Sequence, residues 1–195
     1  RDGYDKARAL LQPAIRYEIS EVWDGPVATI QQREVALTDD QKKKMKELKD
    51  NLQVTVRSGP ITPQNEAAVR TKFLQISLGA IYDSEHDVHA VDAEPRLKEA
   101  ENVLEQTNRK VVIFIPLTSV LQLVYKRLSK RWKGVILNGA VSQKQRGINI
   151  KLFEEDPDVK FVVADPGTTA HGINEFALVA DTVLWFAPVE KNELY

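Results

Sequence analysis

Between Lys110 and Phe186 the chain repeats one pattern: a short apolar run, a polar loop, an amphipathic helical stretch, then the next apolar run. The runs are KVVIFI, KGVIL, VKFVVA and DTVLWF. The first lacks the alternation of a half-buried strand, so it suits a strand buried on both faces, and KGVIL reads as a short strand leading into a loop. Of the segments between them, LTSVLQLVYKRLSKRW carries Val120, Leu121, Val124 and Leu128 on one side. Its other side carries Lys126, Arg127, Lys130 and Arg131, which reads as a helix with one face on a core. The next, SQKQRGINIKLFEED, opens on a Ser-x-x-Gln capping box at Ser142. Strands joined through crossover helices run parallel, with helices on both faces. The expected fold is therefore α/β, a three-layer lobe around a mainly parallel sheet.

The upstream half is less regular. PRLKEAENVLEQT predicts a helix opened by Pro95 in its first turn. TDDQ is a capping box at Thr38, and Met45, Leu48 and Leu52 form one narrow stripe on a helix that is otherwise solvated. Its KKKMK run then reads as a wet face rather than a nucleic-acid patch. TIQQREVAL has weak strand character, SGPITP reads as a turn or linker, and PQNEAAVRTKFLQISLGAIY as a helix. LLQPAIRYEISEVWDGPVAT, broken by Pro13, Gly25 and Pro26, predicts a short helix and a loop. DSEHDVHAVDAE reads as an exposed acidic loop. His86 and His89 lack the His-x-x-x-His spacing that would aim two ligands together, so no metal site is expected there.

Composition narrows the chemistry. The 195 residues, 43% of them hydrophobic, suffice for one core. A formal charge of -1 gives no global attraction for nucleic acid or an anionic membrane, so such binding needs a local patch. The absence of cysteine excludes disulfides, thiol catalysis and cysteine-ligated metals, and fits a reducing, cytoplasmic setting. No apolar run reaches the roughly 18 residues of a membrane helix, so no membrane partner is expected. A first residue of arginine suggests a piece of a longer protein.

In an open parallel sheet, ligands bind beyond the carboxyl ends of the strands. The loops there supply Thr118 and Ser119, then Asn138 and Gly139, then Asp165 through Asn174 with Thr168, Thr169, His171 and Gly172. Short hydroxyl residues, glycines and helix N-termini let N–H and O–H donors approach a phosphate. Each residue also has a local alternative: a helix cap for Thr118 and Ser142, a turn for Asn138-Gly139, a positive φ for Gly172.

Taken together, the ordered segments resemble the second RecA-like lobe of a superfamily two helicase, in its Swi/Snf-related branch. In that resemblance KVVIFIPLTS corresponds to motif IV, LNGAVSQKQR to the loop after it, and TTAHGIN to motif V. ADTVLWFAPVEKNELY is similar to the approach to motif VI, and the Ala-His-Gly-Ile-Asn form is most like phage-type members. The segment from Ala14 to Leu48 is similar to the stretch that leads into the lobe, so the likeness spans nearly the whole chain. It implies residues 1–27 as a lead-in from an absent first lobe, 28–93 as a strand plus helical insertion, and 94–195 as the α/β core. It also implies that ATP and magnesium are held mostly by that first lobe, with none on this chain alone. Gly172 and Asn174 would face the nucleotide. Thr118, Ser119, Asn138, Gly139, Thr168, Thr169 and His171 would contact the DNA phosphate backbone without regard to sequence, with Arg146 orienting the motif V loop.

The sequence departs from the family in two ways. Thr169-Ala170 stands where a Gly-Gly pair is common, and no Gly-x-x-x-x-Gly-Lys-Thr/Ser loop or Asp-Glu box occurs. Phosphoryl transfer depends on such positioning and charge, so the chain alone is expected to be inactive as an ATPase. A stand-alone parallel α/β module that binds a phosphorylated ligand is the alternative. Trp185, which ends an apolar run, is expected to pack rather than to stack on a base.

Overall fold

A computed structural model describes residues 29–169 and 175–187, together with Gly3, Asp5, Lys6, Ala9 and Tyr17. The chain divides into two compact units, residues 1–34 and 35–195.

The centre of the second unit is a four-stranded sheet in the order β6-β7-β5-β8: β5 (Lys110–Phe114), β6 (Lys133–Leu137), β7 (Val159–Ala164) and β8 (Ala180–Trp185). All three pairings are parallel. Successive strand residues point to opposite faces, and β5 and β7 are apolar on both. Val111, Ile113, Phe161 and Val163 pack on one side against α3 (Glu94–Gln106) and α4 (Thr118–Leu128). Val112, Val162 and Ala164 pack on the other against Phe153 of α5 (Gln143–Glu155) and Phe176 of α7 (Glu175–Val179). A one-turn helix, α6 (Pro166–Thr169), follows β7. Helices on both faces of a parallel sheet are what the alternating runs predict. The four residues that α4 buries are the expected Val120, Leu121, Val124 and Leu128.

At the amino edge of the sheet two lysines close helix ends. Lys110 Nζ donates to the carbonyls of Phe153 and Asp156 (2.7 Å to the latter), and Lys160 Nζ to those of Thr107 and Arg109 (2.8 Å to the latter). Cations there satisfy helix C-terminal carbonyls and the negative end of the dipole. Burial pulls both ammonium groups below the usual lysine range.

The segment before the sheet builds a smaller core. Helices α1 (Asp39–Asn51) and α2 (Glu66–Leu78) enclose Leu48 and Ile76 with two short hairpins, β1–β2 (Val54–Val56, Gly59–Ile61) and β3–β4 (Ala80–Tyr82, Val88–Ala90). The Thr38 capping box is complete: Gln41 N donates to Thr38 Oγ1 (3.2 Å) and Thr38 N to Gln41 Oε1 (3.0 Å). Gln41 is also buried, with Nε2 donating to the carbonyls of Ile76 and Ser77 at 3.0 Å each, so the same residue bolts α1 to α2.

Four expectations are corrected by the fold. TIQQREVAL forms no strand; residues 29–38 are irregular, since Ile30, Val35 and Leu37 are too sparse to build one buried face. SGPITP is a turn only at Ser58 and no linker: Gly59 to Ile61 pair with Val54 to Val56. DSEHDVHAVDAE is not a plain loop but contains the turn and second strand of a hairpin. Leu52 does not extend the α1 stripe but ends the helix in the left-handed region at φ 52°, half exposed.

Gly134 of β6 lies under the ring of Phe161, where an added Cβ would fall 2.3 Å from Cζ. Gly134→Ala overpacks this contact and is expected to lower stability by about 1–3 kcal/mol in chemical denaturation.

Charge pairs contribute to stability in acid. The hydrogen bond from Lys133 Nζ (2.6 Å) holds Asp156 below its ordinary pKa, and the bond from Arg127 Nε (2.7 Å) does the same for Glu101. Both carboxyls titrate lower folded than unfolded, so their contribution is complete above about pH 4 and is lost as pH falls through the folded values. Thermal unfolding followed from pH 7 to pH 2 should show a steep loss below about pH 4. In Asp156→Asn that limb should be shallower.

Candidate nucleic-acid interface at the carboxyl edge of the sheet

Register brings the strand ends level. Phe114 of β5 pairs with Ala164 of β7 and Trp185 of β8, and Ala164 pairs with Leu137 of β6. The ladder continues one residue further: Ile115 N donates to Ala164 O (2.9 Å), Asp165 N to Leu137 O (2.9 Å) and Phe186 N to Phe114 O (3.0 Å). The loops after β5, β6 and β7 therefore leave from one edge. Thr118 and Ser119 open the helix after the first loop, Asn138 and Gly139 stand on the second, Thr168 and Thr169 end the one-turn α6 in the third, and Arg146 is on the helix that follows the second. His171, Gly172 and Asn174 lie outside the described residues.

The first loop runs into α4. Its N-cap is Leu117, which has no side chain to bond the first turn. Thr118 is thus not a cap but the first helical residue, and it is exposed. The orphan N–H of Ser119 is instead satisfied from 37 residues upstream, donating to Tyr82 Oη at 3.1 Å. The two hydroxyls, Tyr82 Oη and Ser119 Oγ, are 2.6 Å apart. Tyr82 is itself pinned by α2, with its N donating to Gln75 Oε1 (3.1 Å) and its carbonyl accepting from Lys72 Nζ. Sequence reasoning missed Tyr82, because no local spacing relates a hairpin tyrosine to a distant helix start.

The second loop is an Asx turn. Asn138 Oδ1 accepts from Ala140 N (3.1 Å), and Asn138 O accepts from Val141 N (3.1 Å). Asn138 is 3% exposed, and its Nδ2 has no partner among the described residues. Burial keeps that amide off the surface, against the expectation of a direct phosphate contact. Gly139 is exposed, with open space where a Cβ would stand. Ser142 caps α5, its Oγ accepting from Gln145 N (3.3 Å), yet the box is only half formed. Gln145 Nε2 turns to Asn149 Oδ1 (2.9 Å), and the buried Asn149 donates to Ile136 O (2.8 Å), which seats α5 on β6.

The third loop folds onto itself. Asp165 O accepts from Thr168 N (3.1 Å), Thr168 Oγ1 (3.1 Å) and Thr169 Oγ1 (2.6 Å), while Asp165 Oδ1 accepts from Gly167 N (2.8 Å). Both threonine hydroxyl protons are engaged internally and Thr169 is 2% exposed, so neither is offered outward as the sequence suggested. Arg146 Nη2 donates to Thr168 O (2.5 Å) and ties α5 to this turn.

At the end of β8, Arg96 Nη1 donates to Phe186 O (2.8 Å), with its guanidinium 5.6 Å from the Phe186 ring centroid. Burial draws its pKa below the usual arginine value. Trp185 packs on Phe114, centroids 4.6 Å apart, as expected of a strand-end aromatic.

The histidine-bearing hairpin carries no relay. Asp83 Oδ2 (2.8 Å) and Ser58 Oγ (3.2 Å) both meet the same nitrogen, Nε2, of His89. A nucleophile–base–acid relay needs the two ring nitrogens separately. His86 takes a positive φ of 66° in the turn. Among the described residues no three histidine or acidic side chains converge as a metal site, and no helix is long and apolar enough to cross a membrane.

Arg146→Met should free the Thr168 carbonyl. The expected cost is about 1–3 kcal/mol, with faster amide hydrogen exchange confined to residues 165–169.

No family model and no curated protein matches the chain. Solved structures do. The C-terminal domain of the SWI2/SNF2 ATPase of Sulfolobus solfataricus is 20% identical over 75% of this chain and 64% of that one, with a TM-score of 0.53. The SWI2/SNF2 ATPase core domain from Sulfolobus solfataricus is 18% identical over 94% of this chain and 40% of that one, also at 0.53. The chain thus spans less than two thirds of either. Its sheet and flanking helices have the fold of the RecA-like C-terminal lobe of Snf2 ATPases.

Proposed function

We propose that the chain is the second lobe of an ATP-dependent DNA helicase or translocase of superfamily two, related to the Swi/Snf branch. In this reading residues 1–27 lead in from a first lobe, 28–93 form an insertion, and 94–195 are the motor core. The lobe closes one side of an inter-lobe ATP cleft and grips the phosphate backbone of DNA without reading its sequence. The observation that carries the proposal is the common edge from which the loops after β5, β6 and β7 emerge. These loops bear the segments that resemble motif IV, the loop after it and motif V, in that order.

Two further points bear on the reading. The fold is shared with a protein named as an ATPase of the SWI2/SNF2 type. The phage-type affiliation rests on the Ala-His-Gly-Ile-Asn form and on Trp185-Phe186 with Glu193-Leu194-Tyr195, and neither Sulfolobus structure adds support to it.

ATP and magnesium do not fit this chain by itself. The sequence has no phosphate-loop lysine and no Asp-Glu box, and the described acids do not converge. No hydrolytic step is assigned to its residues. The nucleotide belongs mainly to the other lobe, with Gly172 and Asn174 facing it from this side. For DNA, Thr118 and Gly139 are the exposed rim positions. Ser119 and Arg146 support them, and the loop amides provide donors suited to phosphate.

The test uses the full-length gene product that carries this chain. Its ATP turnover should rise on adding duplex DNA, and the response should weaken steeply with salt. Gly139→Asp adds a negative charge at the rim without a clash, since nothing lies within 4 Å of its Cβ position. The half-saturating DNA concentration should rise by about tenfold. ATP turnover indifferent to DNA, together with tight binding of a small phosphorylated compound, would instead identify a free-standing binding module.

A further inference from the structure

The start of α4 is held by a hydroxyl pair with one proton that the pair itself does not use. Ser119 N donates to Tyr82 Oη, and Tyr82 Oη and Ser119 Oγ share one short hydrogen bond of 2.6 Å. Two hydroxyls carry two protons, and the bond between them uses one. If Tyr82 donates, the Ser119 proton is free; if Ser119 donates, the Tyr82 proton is free. Among the described residues neither oxygen has a further partner. The spare proton therefore sits at the first turn of a helix whose N-cap supplies no side-chain acceptor, beside the exposed Thr118. An acceptor-only group such as a phosphate oxygen is the complementary partner.

Tyr82 is also held through its backbone. Gln75 and Lys72 of α2 hold its backbone N–H and carbonyl, and Gln75 is itself buried. The hydroxyl is thus presented from the α2 and β3–β4 region onto the rim of the parallel sheet.

We propose that Tyr82 is a positioning residue of the rim: it seats Ser119 so that the Tyr82–Ser119 pair offers one hydroxyl proton to a backbone phosphate of bound DNA. The inference rests on the DNA-gripping reading of the edge and adds to it a residue outside every motif-like segment. It also makes the β3–β4 hairpin a structural support of the grip rather than a surface decoration.

The experiment is a double-mutant cycle on duplex DNA binding, made in the full-length gene product with fluorescence anisotropy as the readout. Tyr82→Phe keeps the ring and removes the hydroxyl; Ser119→Ala removes the other half. Each single change should raise the Kd for duplex about three- to tenfold, and the double change no further. Ser119 amide hydrogen exchange should quicken in Tyr82→Phe, because its acceptor is gone. Additive losses, or a Tyr82→Phe protein that binds as tightly as wild type while wild type binds well, overturn the inference and leave the DNA reading standing. A wild-type protein that does not bind duplex overturns both. Should Tyr82→Phe lower the melting temperature, Ser119→Ala, which leaves the ring in place, decides by the same Kd criterion.

Discussion

Parallel pairing of β5 with both β7 and β8 is the constraint on which the other features depend. Strands that share one direction cannot be joined by tight turns, so the chain must return over a face of the sheet between each pair. That return produces α4 and α5 on opposite faces, and it buries β5 and β7 on both sides. It also leaves every strand's carboxyl end on one edge. The rim is a consequence of sheet direction before it is a matter of any rim residue.

The two edges then take different chemistry. At the amino edge, Lys110 and Lys160 are drawn inward to close helix carbonyls, so their charge is absorbed by structure. At the carboxyl edge, donors are partly kept and partly consumed. The loop after β7 spends its hydroxyl protons on the Asp165 carbonyl, and Arg146 is committed to Thr168. Thr118 and Gly139 stay open to solvent. Donors already held within the protein lose little further freedom when a ligand arrives.

The segment before the sheet contributes more than its separate core suggests. Gln41 joins α1 to α2, Gln75 and Lys72 fix Tyr82, and Tyr82 reaches Ser119. The smaller core and the sheet are thereby linked through polar side chains as well as through packing.

How much of the fold and the rim is legible in the sequence depends on the range of each interaction. The strands, the crossover helices and the buried face of α4 were legible because runs of β-branched residues and 3.6-residue stripes are local signals of burial. The capping box at Thr38 was legible for the same reason. The two hairpins were not, since each needs a partner strand that no spacing within SGPITP or DSEHDVHAVDAE announces. Nor was the fate of the rim residues: whether Thr169 faces solvent or the Asp165 carbonyl, and whether α4 is capped by Thr118 or by Tyr82, depends on atoms brought together from distant positions. The sequence by itself determined the α/β class, the parallel sheet and the loops that share its edge, because backbone periodicity and connection length are properties of neighbouring residues. Only the tertiary structure decided which donors on that edge remain free, because hydrogen-bond satisfaction is settled by what packs within about 3 Å, and that is not a property of order along the chain.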